Sequence, residues 1–537
     1  MRTGSQREHA LGRCTMADYD AVVIGSGTGG GTAAAALADG GMRILVIERG
    51  WRITQRALFQ DEKQMLIERI AADDRSIQID GRSARPFVAG LPGGGSALYG
   101  AALLRPSPED FAPGRHYGNR IPRAIWEWPF QYDELEAYYD RAEELFRVSG
   151  DAEARPPHLA PRMRAYPAPS PPLDPFNEKL SRSWSSRGLQ PFRLPLAIDF
   201  ERCLRCPTCP GYLCPNGSRT STDETFLRPR AERGTLSLWE GHEAEALLYG
   251  SGRLRGLRVR DRSSGATREV TAEHYLLAAG ALGTPVLLER SGRGERSGEL
   301  GRNHMCHLGA LAVAVFARSI GADQTFLKRL GLSDFYFGTP SRRVKLGSAQ
   351  TIPVPGPLSL RKQSGLPLPL GIARALQART LLLAGYVDDL PQAANRVRAG
   401  RDGSLRLDRC FAPFDVSRAR VLAKALAEAM RGTGARVVVP WVAKNDREHL
   451  AHQVGTCRAG RDARTSVVDA WGRVHGEDRV WVVDGSVFPT SLGVGPALTI
   501  AAHALRVADQ ILGRPPRSAE HVRAEIGSTA RDATPTR

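Results

Sequence analysis

A glycine-rich turn between two apolar segments, near the start of the chain, restricts the possible folds most strongly. The stretch from Asp18 to Gly50 reads DYDAVVIGSGTGGGTAAAALADGGMRILVIERG. AVVIG and MRILVIE have the apolar, β-branched composition of buried strands, and the alanine-rich segment between them is typical of a helix. Gly25, Gly27 and Gly30 stand in G-x-G-x-x-G spacing where the first strand meets the helix. This order predicts a Rossmann-type strand–helix–strand unit that binds a dinucleotide.

The residues of this turn have separate expected roles in binding the dinucleotide. Gly25 allows the tight turn, Gly27 lets the backbone approach a pyrophosphate, and Gly30 permits close helix–strand packing. Thr28 follows at the start of the helix, whose N-terminus would face the phosphates. Glu48 ends the second strand, where its carboxylate would accept hydrogen bonds from ribose hydroxyls and disfavour the 2′-phosphate of NADP. The turn alone does not separate NAD from FAD.

A second glycine cluster, far beyond the first Rossmann unit, indicates which cofactor is bound. It reads LPGGGSALYGAALLRPSPEDF, and Gly94 and Gly95 directly precede Ser96. Consecutive glycines let main-chain amides press against a flat or anionic group. The stretch resembles the flavin-contact segment of the glucose–methanol–choline (GMC) oxidoreductase family. Further family-like stretches are LAAGALGTPVLLERSG, LGRNHMCH and, most specifically, the block from His452 to Leu512, so the resemblance spans about residues 18–513.

The resemblance implies an α/β fold (α+β overall), with a Rossmann-type FAD-binding domain and a substrate domain built on an antiparallel sheet. We expect the FAD-binding domain to be discontinuous, comprising residues 16–110, 200–310 and 441–513. The substrate domain would comprise 111–199 and 311–440, and residues 1–15 and 514–537 would be disordered tails with few large apolar residues. The proline-rich stretch from Pro353 to Leu370 is expected to be a loop.

The resemblance also implies further cofactor contacts. Tyr99 occupies a position near the isoalloxazine ring. Leu98 stands where some relatives carry a histidine bonded covalently to FAD, so the FAD should be dissociable unless another residue forms the bond. Asp484 resembles a residue that contacts the ribityl or pyrophosphate part of the flavin; its alternative role is to cap the turn after a strand. The remaining predicted contacts are Gly495, Pro496 and Leu498.

His452, in H-x-x-G-T-C, matches the position of the family's catalytic base. A neutral histidine suits removal of a hydroxyl proton because its pKa lies near working pH. Without the resemblance, a lone histidine would more often be a satisfied structural residue. The family's second polar residue aligns with Gly495, which has no side chain. The second hydrogen bond to the substrate oxygen would then come from elsewhere, from water, or be missing.

Four cysteines lie within the twelve residues CLRCPTCPGYLC, from Cys203 to Cys214. The spacing C-x2-C-x2-C-x4-C is near the bacterial ferredoxin pattern but departs from it in the last gap. A metal or iron–sulfur cluster is one interpretation, and structural thiols or local disulfides are the other. Because hydride chemistry on FAD needs no metal, we expect none, and we interpret the stretch as a brace.

Composition limits the possible partners. The net charge of +17 comes mostly from arginines spread along the chain, with no nucleic-acid-binding motif, so we expect no nucleic-acid partner. No apolar run approaches the roughly 20 residues of a membrane span, and the polar N-terminus is no secretory signal, so we expect a cytoplasmic protein without a membrane partner.

The function predicted from the sequence is FAD-dependent oxidation of an alcohol. The expected substrate is a small polar alcohol, such as a sugar, an aminosugar or another natural-product alcohol, and the electron acceptor is molecular oxygen or a carrier. The alternative is a flavoprotein of the same fold with a non-oxidative, lyase-like activity, which the glycine at position 495 motivates.

Overall fold

The glycine-rich turn joins a buried strand to a helix, as predicted, and the rest of the fold is built around this unit. The computed structural model describes residues 17–162, 164–206, 209–320, 328–400, 404–443 and 450–515. The helices are α1 Thr28–Asp39, α2 Gly114–Tyr117, α3 Tyr132–Leu145, α4 Pro175–Ser185, α5 Arg228–Glu232, α6 Gly280–Arg290, α7 Pro357–Ser364, α8 Leu370–Gln377, α9 Pro413–Met430 and α10 Ala497–Ile511.

The strands are short in most of the chain, and the longest belong to antiparallel pairs. In chain order they are β1 Tyr19–Ile24, β2 Ile44–Glu48, β3 Ile77–Ile79, β4 Arg82–Ala84, β5 Ser149–Gly150, β6 Ala168–Pro169, β7 Phe192–Arg193, β8 Ser237–Glu240, β9 His242–Gly250, β10 Arg253–Asp261, β11 Thr267–Val270, β12 Ala272–Leu277, β13 Leu308–Phe316, β14 Leu330–Leu332, β15 Gly338–Thr339, β16 Arg342–Arg343, β17 Ala349–Pro353, β18 Thr380–Val387, β19 Arg396–Ala399, β20 Leu405–Asp408, β21 Ala435–Ala443 and β22 Val480–Val482.

A five-stranded parallel sheet, in the order β22-β12-β1-β2-β8, carries the glycine-rich turn. The buried residues of β1 and the first four residues of β2 are all apolar, as expected for a parallel sheet covered on both faces. Helix α1 packs against α10, and small alanine side chains on α1 let the two helices approach closely. At Gly29, α1 also approaches the chain just after β22, because a Cβ atom there would lie 1.9 Å from the carbonyl oxygen of Val483. This packing fixes the N-terminus of α1 above the sheet.

A six-stranded antiparallel sheet, in the order β21-β13-β18-β17-β14-β7, forms the second main layer. Strand β13 alternates buried and half-buried residues, the pattern of a sheet with one face on a core. Helix α9 covers the buried face with Leu422 and Leu426. The predicted fold class, a Rossmann-type domain with an antiparallel-sheet domain, is therefore confirmed.

The division of the chain between the two domains stays a prediction. All five strands of the parallel sheet come from the three segments predicted for the FAD-binding domain. Strands β13 and β21, however, straddle the predicted boundaries at 310 and 440. A four-stranded sheet, in the order β19-β20-β3-β4, also joins strands from segments predicted for different domains. The predicted tails 1–15 and 514–537 lie outside the described residues, apart from residues 514 and 515.

The prediction of a loop from Pro353 to Leu370 is wrong. Helix α7 begins at Pro357, and α8 begins at Leu370. Proline is tolerated in the first helical turn because the N–H that it lacks would be unpaired there. Gly365, in the left-handed conformation, ends α7. In the described part of the chain, no helix combines the length and apolar character needed to cross a membrane.

Candidate active site

The glycines of the two clusters divide into two groups according to what a side chain would meet. A Cβ atom at Gly25 would lie 2.4 Å from the carbonyl oxygen of Ala278, and one at Gly30 would lie 2.0 Å from that of Gly25. These two glycines are required by the packing of the protein itself. At Gly27 the nearest atom would be 3.9 Å away, and at Gly95 there is none within 4 Å among the described residues. Gly27 and Gly95 therefore leave backbone open to a ligand.

The two glycine clusters meet at this opening. Gly94 and Gly27 approach so closely that a Cβ atom at Gly94 would lie 3.0 Å from the Cα atom of Gly27. The Ser26 hydroxyl accepts a hydrogen bond from the Gly93 N–H (2.9 Å), which ties the clusters together. The bare backbone of two glycine segments beside the N-terminus of α1 fits the pyrophosphate and flat ring of a flavin dinucleotide.

Ser96 and Thr222 brace the opening. The Ser96 hydroxyl donates to the Gly93 carbonyl (2.7 Å) and accepts from the Thr222 N–H (3.0 Å). The Thr222 hydroxyl donates to the Ser26 carbonyl (2.7 Å). The predicted cofactor contact Ser96 thus has its hydroxyl engaged within the protein, where it positions the glycine backbone.

Glu48 lies at the end of β2, as predicted. One of its carboxylate oxygens accepts hydrogen bonds from the N–H and hydroxyl of Ser26, and the other accepts from the Gly50 N–H (2.6 Å). Burial raises the pKa of Glu48, and these hydrogen bonds lower it in part. A carboxylate accepts more hydrogen bonds than these three, so ribose contact stays a prediction for Glu48. Thr28 is the first residue of α1 and is half-buried.

Replacing Gly95 with valine is expected to weaken flavin binding at least about 10-fold. A Cβ atom at position 95 would meet no described protein atom within 4 Å, so the new side chain would extend into the space that we assign to the cofactor. Flavin content after purification and flavin titration of the stripped protein measure the effect. The free energy of unfolding of the flavin-free protein should change by less than about 0.5 kcal/mol.

Gly371→Val is the matched control, because Gly371 lies in α8 and a Cβ atom there also meets nothing within 4 Å among the described residues. It should bind flavin as the parent does. Parent-like flavin affinity in Gly95→Val would show that no ligand contacts this backbone.

The predicted contacts near the C-terminus lie around the start of α10. Asp484 caps the turn after β22: it accepts from the Ser486 N–H (2.9 Å) and, from α6, from the Gly280 N–H (2.8 Å) and the Thr284 hydroxyl. This is the capping role weighed from the sequence, and flavin contact by Asp484 stays a prediction. Burial raises its pKa.

Pro496 directly precedes α10. Leu498 is fully buried in the main hydrophobic core, so its side chain serves packing. Gly495 borders His452: a Cβ atom at Gly495 would lie 3.6 Å from both Cε1 and Nε2 of the histidine ring. Position 495 therefore adjoins the predicted base, and the absence of a side chain there leaves space beside Nε2.

Tyr99 and Arg219 fix the far side of the second glycine cluster. The Tyr99 hydroxyl donates to the Thr220 carbonyl (2.7 Å), and burial raises its pKa. The Arg219 guanidinium donates to the carbonyl oxygens of Ala97, Tyr99 (2.9 Å), Cys209 (2.7 Å) and Tyr212 (2.7 Å). Leu98 is buried.

His452 is paired with a second histidine that the sequence analysis did not assign to the site. The Nδ1 atoms of His307 and His452 lie 2.7 Å apart, and Nε2 of His307 lies 2.6 Å from the carbonyl oxygen of Leu492. Nε2 of His452 has no hydrogen-bond partner in the described ranges. His452 has a left-handed backbone (φ +60°), a conformation that costs a non-glycine residue of order 1 kcal/mol or more.

Strand register brings the two histidines together. Met305 and Val454 form an antiparallel bridge through two hydrogen bonds, of 3.1 Å and 3.0 Å. His307 is two residues after Met305 and His452 is two residues before Val454, so they face each other in the same register. His307 also immediately precedes β13, whose start lies beside the end of β21.

Tyr386 packs on the pair, and Gln350 and Lys328 lie near it. The Tyr386 ring packs against His307 and His452, with centroids 5.5 Å and 5.1 Å away, and its hydroxyl accepts from the Gln350 amide. Burial lowers the pKa of the Lys328 amine to about 7, and this amine donates to the Gly100 carbonyl (2.6 Å). Burial also lowers the pKa of His452 well below its usual range, with smaller contributions from His307 and Lys328. The imidazole is therefore neutral at physiological pH.

Comparison with known proteins identifies the family. Two family models described as GMC oxidoreductase match residues 19–309 and 395–504. The chain is a GMC oxidoreductase.

Curated relatives and solved structures agree with this assignment. This GMC oxidoreductase is 31% identical to 6'''-hydroxyparomomycin C oxidase of Streptomyces lividus and 30% identical to paromamine 6'-oxidase of Streptomyces fradiae, over 92% of this chain and 91% of each relative. Its fold is similar to that of a formate oxidase variant from Aspergillus oryzae RIB40, with a TM-score of 0.68 at 16% identity over 92% of this chain and 98% of that one. The family implies a flavin cofactor, and the open glycine backbone fits one.

Sequence reasoning missed four residues of this site: His307, Gln350, Lys328 and Tyr386. His307 lies in the family-like stretch LGRNHMCH, but nothing in its spacing connects it with His452, 145 residues away. The others lie on or beside strands of the antiparallel sheet, where only the fold reveals which side chains converge.

The cysteine-rich stretch of this GMC oxidoreductase braces the second glycine cluster. Cys203, Cys206, Cys209 and Cys214 line one small cavity. Through the Cys209 carbonyl, Arg219 ties the stretch to the glycine cluster. Among the described residues, which leave out 207 and 208, no three or more His, Cys, Asp or Glu side chains are arranged to hold a metal ion.

Proposed function

We propose that this GMC oxidoreductase uses FAD to oxidise a CH–OH group of a sugar or aminosugar, with His452 as the base that removes the hydroxyl proton. The observation that carries the proposal is the position of His452. One of its ring nitrogens is held by His307, while Nε2 faces the gap beside Gly495. A neutral imidazole with one free nitrogen beside an open space suits general-base catalysis.

His452 accounts for the removal of the hydroxyl proton. Nε2 of His452 takes the proton of the substrate hydroxyl, so the O–H bond breaks and an N–H bond forms. Bound FAD would supply the acceptor for the hydride that leaves the carbon, giving the carbonyl product. The half-buried ring of Tyr386 covers one side of the two histidines and limits the access of water there.

FAD rather than NAD is supported by the second glycine cluster. The first cluster binds a dinucleotide in either case, whereas the second, with its open Gly95, lies where a flat ring would extend from the pyrophosphate. The Aspergillus oryzae formate oxidase, which shares the fold, contains an FAD that is modified.

Sugar-like alcohols are supported by the two Streptomyces relatives, whose names give aminoglycoside substrates. The substrate set should therefore include both aminosugars and neutral sugars with a primary hydroxyl.

Anaerobic mixing of the purified yellow protein with these alcohols tests the proposal. We expect one substrate to bleach the flavin absorbance stoichiometrically and to yield the corresponding aldehyde, detected by mass spectrometry. An analogue in which hydrogen replaces the reacting hydroxyl is the control and should leave the absorbance unchanged. Conversion of the substrate without flavin reduction would contradict the proposal and favour the lyase-like alternative, and a colourless protein would contradict FAD.

A further inference from the structure

The contact between His307 and Leu492 fixes the proton on one nitrogen of His307. A carbonyl oxygen can only accept a hydrogen bond, and it lies 2.6 Å from Nε2. If Nε2 carried no hydrogen, its lone pair would face a lone pair of the carbonyl oxygen at this short distance, which is repulsive. Nε2 of His307 therefore carries a hydrogen and donates it to the carbonyl of Leu492.

His307 is neutral, so its other nitrogen is an acceptor. Burial lowers the pKa of His307 to about 4, the Leu492 carbonyl raises it in part, and the nearby charges of Asp388 and Lys345 act in opposite directions. A neutral imidazole has one N–H, and here it is on Nε2. Nδ1 of His307 therefore presents a lone pair to His452.

The contact between the two Nδ1 atoms then determines which nitrogen of His452 carries a hydrogen. Two nitrogens 2.7 Å apart share one hydrogen, and His307 has none to give at Nδ1. The hydrogen must come from Nδ1 of His452. Because His452 is also neutral, its Nε2 is left bare.

We propose that His307 is a positioning residue that holds His452 in the tautomer whose Nε2 lone pair faces the reacting hydroxyl. The proposal rests on the proposed function for the direction of the proton transfer. The hydrogen-bond chain runs from His452 Nδ1–H to His307 Nδ1 and from His307 Nε2–H to the Leu492 carbonyl. In the other tautomer, Nε2 of His452 would carry a hydrogen and could not act as a base.

The same chain orients the ring during the transfer. When Nε2 of His452 takes the hydroxyl proton, Nδ1–H keeps its acceptor on His307, and the positive charge forms without breaking a hydrogen bond. His307 stays neutral because its own hydrogen remains on Nε2. The orienting group here is thus a neutral imidazole, which contributes geometry more than charge stabilisation.

Leucine and asparagine at position 307 separate this role from packing. His307→Leu keeps much of the volume but removes the acceptor, and we expect anaerobic flavin reduction to slow about 100-fold with little change in the substrate concentration at half-maximal rate. In His307→Asn the amide oxygen takes the place of Nδ1, and most of the rate should return. Equal losses in both variants would indicate a packing role and overturn the proposal.

Nitrogen-15 NMR of the histidine-labelled protein, without any alcohol, reads the tautomers directly. We expect His307 protonated on Nε2 and His452 protonated on Nδ1, assigned by loss of signals in the His307→Leu and His452→Asn variants. In His307→Leu the His452 signal should shift towards a mixture of tautomers. A proton on Nε2 of His452 in the parent would overturn the proposal.

His503→Leu is the control for loss of a buried histidine. His503 is fully buried, lies 3.3 Å through Nε2 from the Val482 carbonyl and stacks on Phe130, away from His452. The His503→Leu variant should leave the His452 tautomer and the rate of flavin reduction unchanged. If no alcohol reduces the parent flavin while NMR shows the expected tautomers, the proposed function fails and the tautomer assignment stands.

Discussion

Replacing His452 is expected to give a protein that keeps its flavin but is reduced by its alcohol at least about 1,000-fold more slowly. The base would be lost, whereas the glycine backbone that fits the cofactor does not depend on the side chain of His452. Because His452 has a left-handed backbone, His452→Asn is the preferred variant: asparagine tolerates this conformation better than alanine. Stopped-flow absorbance under anaerobic conditions measures the rate.

His475→Asn is the matched control for this experiment. His475 is also half-buried, but its Nε2 lies 2.8 Å from the Ser466 hydroxyl and it has no contact with His307 or His452. The flavin of the His475→Asn variant should be reduced at the same rate as that of the parent protein. If His452→Asn were reduced as fast as the parent, His452 would not be the base and the proposed function would lose its main support.

Replacing Lys345 with methionine is expected to lower the free energy of unfolding at pH 7 by about 3–5 kcal/mol. The Lys345 amine lies 2.6 Å from Asp110 and 2.9 Å from Asp388, and all three side chains are essentially inaccessible to water. Removing the Lys345 cation leaves the carboxylates of Asp110 and Asp388 buried with less compensating positive charge. The free-energy cost of desolvating these carboxylates is then no longer offset. Urea unfolding followed by tryptophan fluorescence measures the loss.

The effect of Lys345→Met should depend on pH. Burial alone would raise the pKa of Asp388, but Lys345 and Arg418 hold it well below its usual range. Asp388 therefore stabilises the fold above its unfolded-state pKa of 3.8, and this stability is lost as the pH falls through the folded-state value. Without Lys345 the pKa of Asp388 rises, so the cost of Lys345→Met should shrink as the pH falls below 7 and the carboxyl becomes neutral.

Arg431→Met is the control for loss of a paired cation. Arg431 pairs with Glu428 on the surface, where both side chains are more than half exposed, so its removal should cost less than about 0.5 kcal/mol. A cost for Lys345→Met as small as this would show that the buried ions are not electrostatically coupled.

The first Rossmann unit could be predicted from the sequence because its signals are local. Gly25, Gly27, Gly30 and Glu48 follow one another within a strand–helix–strand segment, and the spacing of these residues reflects contacts within that segment. The resemblance to the family added the second glycine cluster and His452.

The partner of His452 could not be predicted in this way. His307 reaches it through the register of the Met305–Val454 bridge, and register between distant segments leaves no pattern in one sequence. The loop predicted at Pro353–Leu370 failed for another reason: its prolines suggested irregular structure, yet Pro357 occupies the position at which helices accept proline.

The order of strands in the parallel sheet has a consequence for biosynthesis. Strand β22, at residues 480–482, completes the sheet beside β12, and the gap next to His452 needs Leu492 and Gly495 as well. Nearly the whole polypeptide must therefore leave the ribosome before the sheet closes. Such distant pairings form slowly, so we expect the flavin site to be completed only after synthesis. A chain truncated before residue 480 is expected to expose an incomplete sheet edge to aggregation.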